Sequence, residues 1–277
     1  MNKLFRLDRF AVAGKDFPVV TSSMFGLPHH FFHQTKCYAL CTVARSGAHL
    51  LTGGLRASRL AGRPLQYFNH QLAPRYAARY GLDAARDFPR YVRGIVAAAA
   101  TPNSVFGFRM ESWDLDGFLA RLRDSGDFGG PQAQEIKLLQ TAFPGLRCIQ
   151  LTRQDKLRQA ISKARAMQTE LWVSGGENRP LREPEFDADL IAHCLLSAQR
   201  SEEMWTAFFQ RNGIEPLPIT YEDLCDDYTA TVRRVLAFLR LRLPRGFDPG
   251  QPQTVRQADT LTEEWVQRYS SLAALKS

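Results

Sequence analysis

Arg45, Ser46 and Gly47 stand between an apolar run, residues 37–43, and an apolar segment opening at Leu50 and Leu51. A strand that turns through a short loop into a helix builds an anion-binding corner. Backbone N–H groups at the helix start point at the ligand, and the helix dipole favours negative charge there. Arg45 adds a permanent cation whose planar fork suits phosphate or sulfate oxygens. Gly47 allows a close approach, because no side chain stands in the way. The loop is not a Walker A motif: Gly14-Lys15 is followed by Asp16, and no G-x-G-x-x-G occurs. Taken alone, R-S-G also fits a plain strand–helix turn.

A second cationic feature follows a later apolar run, residues 147–152. Leu157, Ala160, Ile161, Ala164 and Met167 form an apolar helical stripe. Arg158, Ser162, Arg165 and Thr169 fall on an adjacent face, and Arg153 sits at the strand's end. In a parallel sheet, ligands gather at the carboxyl edge of the strands. The Arg45 loop and Arg153 would share that edge, which suits a ligand with two separated anionic groups. The alternative for Arg158 and Arg165 is a solvated charged face.

The elements that must position these residues are legible in the pattern. Residues 37–43 are apolar almost throughout, as a central parallel strand should be. A short helix follows and ends near Gly62. Residues 71–100 read as helical and Ala/Arg-rich, 104–109 as a second strand, 115–122 as helix and 147–152 as a third strand. A long helix over about 185–212 stops at Gly213, a C-cap. Residues 217–221 read as a strand that Pro216 and Pro218 place at an edge or strand end. Val232, Val235, Leu236 and Leu239 mark another helix, and Thr260-x-x-Glu263 has the form of a capping box opening the last one. Strands alternating with helices predict an α/β fold, a single domain with a central parallel sheet flanked by helices. That domain spans residues 36–277, with 1–35 as an N-terminal extension packing on it.

The 277 residues suffice for one large α/β domain, and 44% hydrophobic with 23% charged residues is the composition of an ordinary folded protein. No run approaches the ~18 apolar residues of a membrane span, so no transmembrane segment is expected. The first residues are too polar for a secretory signal. Five cysteines, odd in number and without C-x-x-C, read as buried free thiols in a reducing cytoplasm, the expected location. The net charge of +8 suits anionic ligands without choosing among them. Without a basic tail, an aromatic–glycine RNA motif or zinc spacing, nucleic acid is not expected as a partner. His29, His30 and His33 lack a carboxylate or Cys at matching spacing, so they read as a surface loop and no metal is expected.

Together these residues resemble the nucleotide-dependent sulfotransferases, most closely the bacterial branch typified by trehalose 2-sulfotransferase, from about Cys37 to Tyr269. The resemblance implies a P-loop-like loop in which Arg45-Ser46-Gly47, with Ala48 and His49, binds the 5′-phosphosulfate of 3′-phosphoadenosine-5′-phosphosulfate (PAPS). The motif R-x-D, Q-A-x-S, R-A-x-Q-T is matched by Arg153, Asp155, Gln159-Ala160, Ser162, Arg165-Ala166 and Gln168-Thr169. It implies that Arg153 and Ser162 hold the 3′-phosphate. Tyr221-Glu-Asp-Leu places Tyr221 near the nucleotide. Arg256-Gln-Ala-Asp, with Glu264-Trp-Val-Gln-Arg-Tyr269, makes Arg256 the residue that closes over it. The implied product is adenosine 3′,5′-bisphosphate (PAP), the implied acceptor a hydroxyl or amine of a small molecule, glycan or glycolipid, and the implied assembly a homodimer.

Two positions depart from the family pattern. Ala48 and His49 replace small hydroxyl residues; His49 can donate a hydrogen bond to a phosphate or bridging oxygen, as in the sulfotransferases that modify rhizobial signalling oligosaccharides. In Ala61-Gly-Arg-Pro-Leu-Gln66 the family has Glu, its proposed general base, where this chain has Gln66. An amide cannot take that proton at working pH. His70, His49 and Glu111 are the other candidates; alternatively the acceptor needs little base assistance, or the protein binds nucleotide without efficient transfer. The implied mechanism is in-line positioning with charge stabilisation. Arg45 and the 46–49 loop act on the leaving phosphate, while Gln66, Tyr67, Phe68 and His70 line the acceptor side. Arg109 reaches the acceptor or the sulfuryl group, or forms a structural ion pair. A nucleotide-dependent kinase and a non-catalytic nucleotide-binding protein are the competing readings; a missing Walker Lys disfavours the first, and Gln66 keeps the second alive.

Overall fold

A computed structural model of the chain describes residues 35–172, 181–250 and 259–274. All of the N-terminal extension but Thr35, the three histidines within it and Arg256 lie outside the described residues. Four strands, β1 (Lys36–Thr42), β2 (Val105–Glu111), β3 (Arg147–Thr152) and β4 (Leu217–Thr220), form one parallel sheet in the order β2-β1-β3-β4. Strand alternation divides β1 between two cores. Cys37, Ala39 and Cys41 join Phe106, Phe108 and Met110 on one face; Tyr38 and Leu40 join Ile149 and Leu151 on the other. Burial on both faces is why β1 is apolar nearly throughout. Gly107 is part of this packing, since a Cβ there would stand 2.2 Å from the Tyr38 ring. β4 lies at the edge, as its prolines predict.

Ten described helices surround the sheet: α1 (Ala48–Ala57), α2 (Ala73–Arg79), α3 (Phe88–Ala99), α4 (Ser112–Asp124), α5 (Glu135–Ala142), α6 (Lys156–Thr169), α7 (Ala188–Arg211), α8 (Tyr221–Asp226), α9 (Tyr228–Phe238) and α10 (Thr260–Ala274). Helices α2 to α5 and the end of α7 cover one face over an aromatic core; α1, α8 and α9 cover the other. Ile161 and Ala164 of α6, Ile191 and Cys194 of α7 and Trp265 of α10 make a third cluster. Four cysteines are buried and free, and Cys225 is exposed. No described helix is long and apolar enough to cross a membrane.

The structure corrects three expectations. Residues 71–100 are two helices, not one stretch: the chain turns at Gly81 (φ 63°), and Asp87 caps α3 by accepting from the Arg90 amide at 2.9 Å. β2 runs on to Glu111, two residues past the expected end, because it stays paired with β1 as far as Thr42. The last helix is capped by Asp259, whose side chain accepts from the Thr262 amide at 2.9 Å. Glu263 is thereby left to bind elsewhere. A capping box does occur at Thr220 and Asp223, where β4 enters α8.

Candidate active site

After β1 the chain moves outward to β2 at one end of the sheet, and after β3 to β4 at the other end. The carboxyl ends of β1 and β3 therefore border a crevice at a topological switch point. The loop after β1 enters it. Arg45 (φ 65°) and Gly47 (φ 90°) are both left-handed and flank Ser46, whose amide closes the turn by donating to the Val43 carbonyl at 3.2 Å; the first amides of α1 beyond Gly47 have no intrahelical acceptor, as at any helix start. Two side chains hold the loop from α6 and α7: Gln159 Nε2 donates to the Ala44 carbonyl at 2.8 Å, and Trp205 Nε1 to that of Thr42 at 3.0 Å. A Cβ on Gly47 would lie 2.7 Å from the Tyr221 ring. Only glycine meets both the dihedral and the contact at this position.

The two predicted cations come together here. Arg45 Nε donates to Ser162 Oγ at 2.8 Å, and its Nη1 to the Trp172 carbonyl. Arg153 is buried, its guanidinium 4.4 Å from the Tyr221 ring centroid. Burial, and after it the charge of Arg153, pulls Arg45 down to about 10; burial also lowers Arg153. Both remain cationic at neutral pH, so the fold holds two desolvated positive charges against each other. Ser46 Oγ, Arg153 Nε and Gln159 Oε1 are buried here without hydrogen-bond partners. Such orphaned groups are costly and uncommon in folded proteins. Ser46 Oγ and Arg153 Nε are donors that a ligand carrying anionic groups fits, whereas Gln159 Oε1 can only accept.

On the other side of β1, Leu65 bridges to Phe108, and the Arg109 amide donates to the Leu65 carbonyl at 2.9 Å. This brings Gln66 to the end of β2, its Nε2 3.5 Å from Glu111 Oε1. Arg109 Nε is 3.8 Å from the same oxygen. Desolvation within the crevice, and after it the charges of Arg109 and Arg45, pushes His49 down to about 3, although the side chain keeps an exposed edge. It is neutral and can donate a hydrogen bond, but it is too weakly basic to collect protons near neutral pH. His70 lies at the rim with its side chain 72% exposed and Nδ1 3.3 Å from Asp114. Tyr67 and Phe68 do not line the acceptor side. Tyr67 is fully buried against Tyr76 and Phe106, and Phe68 packs on Phe108 and Phe118; their aromatic surface is worth more in the core than at a wet cleft.

The remaining motif residues act on the scaffold. Asp155 caps α6 by accepting from the Arg158 amide at 2.9 Å. Arg158 binds Asp155 and Glu263, and Arg165 binds Asp259 through paired contacts of 2.6 and 2.7 Å. These two arginines are therefore neither ligand-facing nor merely solvated: they latch α10 to α6. Arg165, first among the causes, holds the Asp259 carboxyl well below the usual carboxylate range. Ser162 is the residue of that face that engages the loop. Sequence reasoning missed Glu222, whose carboxylate accepts from the amides of Gln154 (3.0 Å) and Asp155 (3.2 Å) and so fixes the loop carrying Arg153. Its place in Tyr-Glu-Asp-Leu was the available signal. A depression lined by Lys36, Arg147 and Arg240 lies at the opposite edge of the sheet and has no part in this site.

Residues 37–271 match the family model described as Stf0 sulphotransferase. The trehalose 2-sulfotransferase of Mycolicibacterium smegmatis is 30% identical over 263 residues, covering 84% of this chain and 93% of that protein. The trehalose 2-sulfotransferase of Mycobacterium tuberculosis is 29% identical over 265 residues, with 85% and 95% covered. Among solved structures, the sulfotransferase domain from the curacin biosynthetic pathway aligns with a TM-score of 0.45 at 13% identity, over 85% of this chain and 98% of that one.

Proposed function

The chain belongs to the Stf0 sulphotransferase family, and on that premise we propose that it transfers the sulfuryl group of PAPS to a hydroxyl of a glycan or similar small molecule. The observation that carries this reading is the half-buried Arg45 guanidinium beside the buried Arg153, with the orphaned donors Ser46 Oγ and Arg153 Nε at the β1–β3 crevice. In this reading Arg45 and the amides of residues 47–49 face the 5′-phosphosulfate, the Ser46 amide being engaged by the Val43 carbonyl. Arg153 and Ser162 take the 3′-phosphate, and Tyr221, on which Arg153 rests, borders the nucleotide. Arg256 closes over it, and His49 donates to a phosphate oxygen. Arg109 and Gln66 face the acceptor, with His70 at the rim. Trehalose, named for the two mycobacterial relatives, is the first acceptor to try. A cytoplasmic location and a homodimer belong to the same reading.

The protein's share of the chemistry is positioning and electrostatics. The charge that develops as the sulfur–oxygen bond breaks falls on the phosphate oxygens, beside Arg45 and the loop amides. Calorimetry with PAP beside ADP and adenosine 2′,5′-bisphosphate tests the proposal: 3′-selective binding is expected, and no binding by folded protein would refute it. Arg153→Ala should weaken PAP at least about tenfold, the contribution of a charge-assisted phosphate contact. Unchanged affinity would remove Arg153 from the 3′-phosphate site.

A further inference from the structure

Transfer of a sulfuryl group to a hydroxyl releases a proton, and Gln66 cannot accept it. The groups around the acceptor side narrow the choice. His49 is held neutral and weakly basic between two arginines. His70 stands at the rim, with one ring nitrogen engaged by Asp114. Glu111 is different. It is 5% exposed, at the carboxyl end of β2, directly across from Thr42, the last residue of β1 before the phosphosulfate loop. One carboxylate oxygen, Oε1, faces Gln66 Nε2 at 3.5 Å and Arg109 Nε at 3.8 Å. The other, Oε2, is buried and has no hydrogen-bond partner. A carboxylate held by one oxygen with the second left unclaimed is the arrangement a proton acceptor needs.

We propose, building on the sulfuryl-transfer reading, that Glu111 is the general base of this enzyme, its Oε2 accepting the proton of the acceptor hydroxyl. As the acceptor oxygen bonds to sulfur, its O–H proton passes to Oε2 and the bond from sulfur to the 5′-phosphate oxygen breaks. PAP leaves with that electron pair, and Glu111, now neutral, returns the proton to water. Gln66 becomes a positioning residue that donates to Oε1. The groups facing Glu111 are Thr42 from β1, Arg109 on its own strand, Asp114 from α4 with His70 beside it, Gln66, and Lys163 from α6. Burial is the largest influence and raises the Glu111 carboxyl above its ordinary range, partly offset by Arg109, by the nearby Thr42 hydroxyl, whose hydrogen bond at 3.3 Å goes to the Met110 carbonyl, and by Lys163. A base tuned upward toward the working pH is more effective than an ordinary carboxylate.

The test is Glu111→Gln, measured with radiolabelled PAPS and two acceptors, trehalose and water, the second needing no identified glycan. Turnover should fall by about 10²–10⁴-fold, with PAP affinity within about twofold of wild type. The acidic limb of the pH–rate profile, lying above the ordinary carboxylate range, should disappear. In the swap Q66E/E111Q a carboxylate returns beside the same position, and turnover should recover at least about tenfold over E111Q. Turnover of E111Q within about threefold of wild type would overturn the assignment. So would a loss matched by an equal loss of PAP affinity, or a swap that recovers nothing. Wild-type protein unable to bind PAP would instead bring down the sulfuryl-transfer reading, and the role of Glu111 with it.

Discussion

Arg45→Ala lowers turnover by about 10²–10³-fold, the usual cost of removing one donor aimed at developing charge, while PAP affinity falls by no more than about tenfold. The asymmetry follows from position. Arg45 leads the loop after β1 and is anchored by Ser162 and the Trp172 carbonyl. In the proposed ground state the phosphosulfate is already served by loop amides, and Arg153 holds the far 3′-phosphate. In the transition state charge builds on the phosphate side of the breaking bond, and a half-buried cation acts on it with reduced solvent screening. Arg45→Lys keeps the charge but loses the fork through which Nε reaches Ser162, so it restores only part of the rate. Steady-state kinetics beside PAP calorimetry checks the result. Equal losses in both would make Arg45 a binding residue only.

Gly47→Ala costs stability and binding together. A left-handed conformation costs a non-glycine residue about 1–2 kcal/mol, and the new Cβ must displace the Tyr221 ring, 2.7 Å away. That ring carries Arg153 on its face, so the displacement disturbs both anion sites at once. A Tm drop of several degrees (about 2–4 °C per kcal/mol at this size) and a loss of PAP affinity beyond about tenfold are expected. Tyr221→Ala in the same chain removes the obstacle but not the dihedral strain, so the two substitutions should combine non-additively. Differential scanning calorimetry and PAP titration of the two single variants and the double variant decide it. Normal binding by Gly47→Ala would mean that the loop does not touch the nucleotide.

The corrections among the motif residues concern side chains whose role depends on a distant neighbour. Arg158 and Arg165 follow a helical face with Ser162, yet pair with Glu263 and Asp259 about a hundred positions later in the chain. Tyr67 and Phe68 follow Gln66 directly but enter the aromatic core, because the short bridge of Leu65 to Phe108 directs them under the sheet. Thr260 and Glu263 have capping-box spacing, but Asp259, one residue earlier, takes the cap and frees Glu263 for Arg158.

The sequence by itself determined the local features: apolar runs that become central strands, prolines that send β4 to the edge, and the strand–loop–helix carrying Arg45 and Gly47. Each follows from interactions between residues close in the chain, where periodicity and dihedral preference act directly. The tertiary structure alone decided that Arg45 meets Ser162, that Tyr221 closes on Gly47, and that Glu111 lies beside Gln66 with one oxygen unclaimed. Those meetings depend on strand order and register, which bring together segments far apart in sequence, and burial then gives each charge a cost that only its new neighbours or a ligand can offset.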